Sequence, residues 1–123
     1  MTGKDSRYDL EDRLIAFAIV LADIVDELPT TRLGNYLGGQ LVRSGCSPAL
    51  NYGEAQSAES RNDFIHKMKI ILKELRESFV SLKIIELKKL HDYEKVAKAK
   101  DECNQLIAIF VKSIETAKKN NIK

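Results

Sequence analysis

The chain has 123 residues, two prolines, six glycines, two cysteines and a formal net charge of +2. This length predicts one domain with a hydrophobic core, and two cysteines are too few for a disulfide framework. So few turn-forming residues argue against a β fold rich in turns, and the small net charge does not by itself indicate a nucleic-acid partner.

The charge is unevenly divided between the two halves of the chain. Residues 1–60 carry five Lys/Arg and nine Asp/Glu, a net of −4. Residues 61–123 carry fifteen Lys/Arg and nine Asp/Glu, a net of +6. A basic C-terminal half of this kind indicates an anionic partner.

No segment at the start of the chain resembles a secretory signal or a membrane span. The first apolar run follows Asp9, Glu11 and Asp12 instead of a basic region. Its uncharged part, residues 14–22, has nine residues, whereas a membrane-spanning helix needs about 20. We therefore expect a soluble, cytoplasmic protein with reduced thiols and no membrane partner.

The first predicted helix follows a flexible N-terminus at residues 1–8. Asp9 is its expected N-cap, and Pro29 ends it soon after Leu28 because proline cannot continue the hydrogen-bond ladder. One apolar seam is formed by Leu10, Leu14, Phe17, Leu21, Val25 and Leu28. Further apolar residues lie off that seam, namely Ile15, Ile19, Val20, Ala22 and Ile24. A helix that is apolar on more than one side must be covered on more than one side, so we expect another subunit to contact it.

The second helix is predicted from about Arg32 to Ala58, with Thr30 or Thr31 as its N-cap. Steps of three and four residues define one stripe, which consists of Leu33, Leu37, Gln40, Ser44, Ser47, Asn51, Glu54 and Ala58. Pro48 removes one helical hydrogen bond and should kink this helix. The alternative is two helices, with Ser47 as the N-cap of the second.

The middle of that stripe is polar, although its spacing directs it towards a partner helix. Arg43, Ser44, Ser47, Asn51 and Glu54 are therefore predicted to form a structural polar network that fixes the register of the helices. A ligand site with Arg43 as the anion contact is the less favoured interpretation.

Two further helices complete the predicted fold. Ser60 caps the third, which runs from about Asn62 to Leu87, and the fourth runs from about Tyr93 to Lys119. Both carry apolar residues at helical spacing, and no segment alternates with a period of two. The sequence thus predicts an all-α, antiparallel up-down-up-down four-helix bundle over residues 9–119, followed by a flexible C-terminus at residues 120–123.

Basic residues along the third helix and the turn after it are candidate nucleic-acid contacts. They are Lys67, Lys69, Lys73, Arg76, Lys83, Lys88 and Lys89. Repeated in each subunit of an oligomer, such cations would bind phosphates. The alternative is an ordinary solvated helix face.

No residue pattern predicts catalysis, and no cofactor or metal is expected. A di-iron bundle needs two Glu-x-x-His motifs and two more inward glutamates. The nearest pattern is the single Asp63-x-x-His66, so we expect a non-enzymatic protein.

Several short motifs resemble a known family. They are Leu28-Pro29-x-Thr31, Arg43-Ser44, Ser47, Asn51, Glu54-Ala55, Asp63-Phe64-Ile65-x-Lys67 and Lys73-Glu74-x-x-Glu77. Their order and spacing resemble those of the four-helix-bundle proteins encoded in intervening sequences of bacterial 23S rRNA genes. The resemblance extends from about residue 10 to residue 118, but Ser81 stands where the family often has tryptophan.

This resemblance implies a compact up-down bundle that assembles as a homopentamer. A distant relative of that family is the accessory protein of diversity-generating retroelements, a basic pentamer that binds nucleic acid and a reverse transcriptase. By this likeness we expect a homo-oligomer associated with RNA. The alternative is a protein-interaction scaffold that does not bind nucleic acid.

Overall fold

A computed structural model describes residues 6–121 of the chain and the side chains of residues 10–120. It contains four α-helices, α1 (Ser6–Asp26), α2 (Arg32–Gln56), α3 (Arg61–Leu87) and α4 (Tyr93–Asn121). Within residues 6–121 there is no β-strand, and no helix is both long and apolar enough to cross a membrane. The predicted all-α fold with four helices is therefore confirmed.

The ends of the helices differ slightly from those predicted. Helix α1 begins at Ser6, before the expected cap Asp9, and α4 continues to Asn121, two residues beyond its expected end at Lys119. The rest of the predicted flexible termini, residues 1–5 and 122–123, lies outside the described residues.

Two of the predicted N-caps are present. The Thr31 hydroxyl accepts a hydrogen bond of 3.0 Å from the backbone N–H of Gly34, and so caps α2. The Ser60 hydroxyl accepts one of 3.0 Å from the N–H of Asp63, and so caps α3. Each cap satisfies a donor that the first turn of a helix cannot pair internally.

The helices pack as a ring around one core. α1 contacts α2 and α4, and α3 contacts the same two helices. The α1–α4 contact is the least extensive of the four. The rings of Tyr52 and Phe110 meet edge to face across the centre, with centroids 6.0 Å apart. The largest fully buried side chains include Leu14, Phe17, Leu21, Ile24, Leu41, Met68, Ile71, Leu75, Leu82, Ile85, Leu106 and Phe110.

Helix α2 is continuous through Pro48, so the alternative of two separate helices is wrong. The Pro48 side chain is buried in the core. The antiparallel order of the helices and a kink at Pro48 stay predictions.

The buried stripe of α2 differs from the predicted one. Its apolar members include Leu37, Leu41, Pro48, Tyr52 and Ala55, and Ser44 is buried among them. Four predicted inward positions, Gln40, Ser47, Asn51 and Glu54, each lie one residue before a buried member of this stripe. Burying Leu41 and Tyr52 removes more apolar surface from water than burying Gln40 or Asn51 would, so the apolar side chains determine the orientation of the helix. In α1, likewise, Ile24 lies in the core instead of off the seam.

Close packing of α1 against α2 depends on a glycine. A Cβ atom at Gly45 would lie 2.6 Å from Cδ1 of Leu21, which is itself buried in the core. A second glycine, Gly34, lies where a Cβ atom would overlap the backbone oxygen of Pro29. These glycines let the turn and α2 approach α1 more closely than any larger residue would permit.

Candidate functional site

The α2–α3 face holds most of the residues that the sequence singled out. Arg43 projects from α2 and donates hydrogen bonds to Glu74 at 2.7 Å and to Glu77 at 2.6 Å on α3. A third bond, of 3.2 Å, goes to Gln40. The hydrogen bond to Glu77, with the nearby charge of Glu74, raises the pKa of Arg43 above its ordinary value. The anions that Arg43 binds are thus carboxylates of its own chain.

Ser44 is the member of the predicted polar network that lies in the core. Its hydroxyl is 2.7 Å from the hydroxyl of Ser78 on α3, and both side chains are buried. The pair satisfies two polar groups that would otherwise be costly to bury. This contact joins α2 to α3 directly.

The remaining predicted members of the network are Ser47, Asn51 and Glu54, and their side chains form no hydrogen bond to another helix among the described residues. The Asn51 amide donates to the Ser47 hydroxyl at 2.8 Å, one turn away on the same helix, and both residues are half-buried. Glu54 is exposed and lines a polar depression near the α2–α3 turn. The five residues therefore lie along one edge of α2 without forming a single connected network.

The seven predicted nucleic-acid contacts fall into three groups. Lys67 is half-buried and donates to both oxygens of Asp63 at 2.8 and 2.7 Å, a bond that lowers the pKa of Asp63. Lys73 is exposed and lies 4.0 Å from Glu77. The other five are exposed and form no ion pair with any residue that the structure describes, namely Lys69, Arg76, Lys83, Lys88 and Lys89. Most of the candidate set is thus free to bind an external anion.

An open groove of about 770 Å³ runs between α2 and α3. Exposed apolar side chains form part of it, because Tyr36 is 63% exposed, Val80 56% and Ile84 38%. Its basic lining residues are Arg43, Lys69, Lys73 and Arg76. Val80 and Ile84 were not identified as surface residues from the sequence. Their position one and two turns after Arg76, off the buried seam of α3, is the signal that could have identified them.

The two thiols have different surroundings. Cys103 is buried, its Sγ donates to the backbone oxygen of Leu75 at 3.2 Å, and burial raises its pKa to about 12. Cys46 is half-buried and forms no disulfide. Among residues 6–121 no group of three or more His, Cys, Asp or Glu side chains is arranged to hold a metal ion.

Comparison with solved structures gives a relative of the same shape. The chain is similar to a protein of unknown function from the S23 ribosomal protein family of Bacteroides thetaiotaomicron, known from a crystal structure at 1.70 Å resolution. The two share 26% sequence identity with a TM-score of 0.78, over 85% of this chain and 97% of the other. No protein-family model matches the sequence, and neither does any curated protein.

Proposed function

We propose that this protein is a non-enzymatic, cytoplasmic homo-oligomer that binds RNA through the exposed cations of α3 and of the turn that follows it. The observation that carries the proposal is the set of basic side chains near the end of α3 and in the following turn with no carboxylate partner among the described residues, namely Lys83, Lys88 and Lys89. An unpaired cation keeps its full attraction for phosphate, whereas one held by a carboxylate, as Lys67 is by Asp63, does not.

Two comparisons support RNA as the anion. The motifs on α2 and α3 resemble those of proteins encoded in 23S rRNA intervening sequences, and the similar solved structure is described as a member of a ribosomal protein family. The resemblance also implies a homopentamer. A ring would repeat the cations of one chain several times, so modest charge per subunit would add to useful affinity.

A titration of RNA binding with salt tests the nucleic-acid part of this proposal. A short fluorescent RNA hairpin is mixed with the protein and its anisotropy is followed from about 50 mM to about 200 mM salt. Phosphate contacts predict a steep, linear fall of log affinity with log salt concentration. No binding at about 50 mM salt would contradict the proposal.

Paired variants identify the cations responsible. Lys83→Gln with Lys88→Gln should weaken binding and reduce the salt slope by about two, roughly one for each phosphate contact removed. The matched control is Lys112→Gln with Lys118→Gln, which removes the same charge from exposed positions on α4. Equal losses of RNA affinity in the two double variants would show that binding depends on net charge alone, and would contradict a specific role for the cations of α3 and its turn.

A second candidate is a protein-interaction scaffold without a nucleic-acid role. The observation that favours it is the apolar part of the α2–α3 groove, where Tyr36, Val80 and Ile84 are exposed beside the cations. Apolar side chains of this kind contribute little to phosphate binding but are typical of protein interfaces. A stable complex with another protein and no binding to RNA would favour this candidate.

A further inference from the structure

Helix α1 has an outer face that is exposed along its length. Its members are spaced by three or four residues and consist of Glu11, Ile15, Ile19, Ala22 and Asp26. Ile15 is 45% exposed and Ile19 57%, and Asp23 lies one turn after Ile19. The face is thus an apolar centre with acids at both ends.

The acids of this face lack partners within the part of the chain that the structure describes. Glu11, Asp23 and Asp26 are exposed and form no ion pair with residues 6–121. Arg13 of α1 does not neutralise these acids, because its guanidinium forms an ion pair of 2.8 Å with Glu102 of α4. Like-signed, unpaired carboxylates around exposed isoleucines are suited to a basic and apolar partner surface.

The α2–α3 groove has the opposite character. Along α3 the exposed residues are again spaced by three or four, and consist of Lys69, Lys73, Arg76, Val80 and Ile84. Each of the two stripes spans fifteen helical steps, which corresponds to about 22 Å. The acidic C-terminal end of the α1 stripe thus complements the basic N-terminal end of the α3 stripe in charge, both stripes contain exposed apolar side chains, and their lengths are equal.

We infer that α1 of one copy of this chain docks in the α2–α3 groove of the next copy. In an antiparallel docking, Asp26 and Asp23 face Lys69 and Lys73, while Ile15 packs against Val80. The two surfaces differ, so the contact is head-to-tail and generates a closed ring if the rotation between copies closes. The inference rests on the oligomer in the proposed function and names the surfaces that form it.

This arrangement also has a consequence for RNA binding. The docked helix covers Lys69, Lys73 and Arg76, so in the ring the cations left for phosphate are those beyond the groove, such as Lys83 and Lys88. RNA that binds in the groove would compete with the docked α1 helix for Lys69, Lys73 and Arg76.

Charge reversal within one chain tests the docking. The Asp23→Lys/Asp26→Lys variant and the Lys69→Glu/Lys73→Glu variant each place like charges across the contact, so each should lose mass towards the single chain of 13.9 kDa. The chain that carries all four substitutions restores opposite charges and should recover the assembly. Light scattering after size exclusion measures the masses, and circular dichroism confirms that every variant is folded.

An apolar variant and its control complete the test. Ile15→Glu should dissociate the assembly, because it places a carboxylate against Val80, whereas Leu87→Glu, at a position 70% exposed outside the groove, should leave the mass unchanged. The inference is overturned if the unmodified chain is a monomer, or if it is an assembly that both reversed variants leave intact. An assembly that survives both charge reversals would contradict only this interface. RNA binding is tested separately by the hairpin titration, and oligomerisation by the mass of the unmodified chain.

Discussion

Ser44 and Ser78 are the polar pair that the bundle buries between α2 and α3. The two hydroxyls share one hydrogen bond of 2.7 Å, in which either oxygen can be the donor. Removing one therefore costs more than the bond itself, since the other is left buried without that partner. The other polar residues of α2 lie at the edge of the helix, where water can satisfy their hydrogen bonds.

A double-mutant cycle on this pair gives the first prediction. Ser44→Ala alone should destabilise the protein by about 1–2 kcal/mol, and Ser78→Ala by a similar amount. The double variant should cost clearly less than the two together, because no hydroxyl is then unpaired. Urea denaturation measures the three free energies of unfolding. Simple additivity would show that the two hydroxyls do not depend on each other.

The buried thiol of Cys103 predicts how stability changes in alkali. Its pKa is raised from 9.0 to about 12 by burial in the folded protein. Below pH 9 both states keep the proton and the contribution to stability is complete, whereas above it the unfolded chain alone ionises. The free energy of unfolding should therefore fall between pH 9 and about 12. In Cys103→Ala the other titrating groups are unchanged, but the free energy of unfolding should fall less steeply over this pH range. Equal slopes for the variant and the unmodified protein would contradict this reasoning.

At the scale of the helices, the sequence predicted their number and two of their caps. These features depend on local chemistry, such as Pro29 after α1 and the hydroxyls of Thr31 and Ser60, and so can be derived from the residues alone. The orientation of α2 was predicted incorrectly at Gln40, Ser47, Asn51 and Glu54. Two stripes one residue apart both fitted a helical spacing, and only the competition for the core among Leu41, Pro48 and Tyr52 selected between them.

The candidate site was predictable in part, for the same reason. Spacing alone identified the cations of α3, but it could not show that Arg43 is held by Glu74 and Glu77, residues that are distant in sequence. Nor could it show that Val80 and Ile84 lie beside Tyr36 of α2, since that depends on how the two helices pack. Contacts between elements decide both points.

The close approach of α1 and α2 gives a prediction for two glycines. Gly45→Ala should destabilise the protein by about 1–3 kcal/mol, because its Cβ atom would overlap the buried Leu21 side chain. A Cβ atom at Gly39 would have open space around it, with no described neighbour within 4 Å, so Gly39→Ala should stabilise α2 by up to about 1 kcal/mol. Thermal and urea unfolding of the two variants provide the comparison. A loss of stability at both positions, or at neither, would contradict the packing described for α1 and α2.

At the scale of the whole molecule, packing within a single chain does not explain the apolar side chains that lie outside the core. Ile15 and Ile19 on α1, and Val80 on α3, lie on the surface of the bundle, where a single chain leaves them in contact with water. Exposed apolar surface of this kind usually indicates an interface. The proposed assembly accounts for these residues, for the unpaired acids of α1 and for the unpaired cations of α3.

The molar mass of the unmodified protein in solution tests this account most directly. Light scattering after size exclusion, at physiological salt and with a reducing agent present, should give a whole-number multiple of 13.9 kDa, and the family resemblance implies five copies. A mass of one chain, unchanged as the protein concentration is raised, would contradict it.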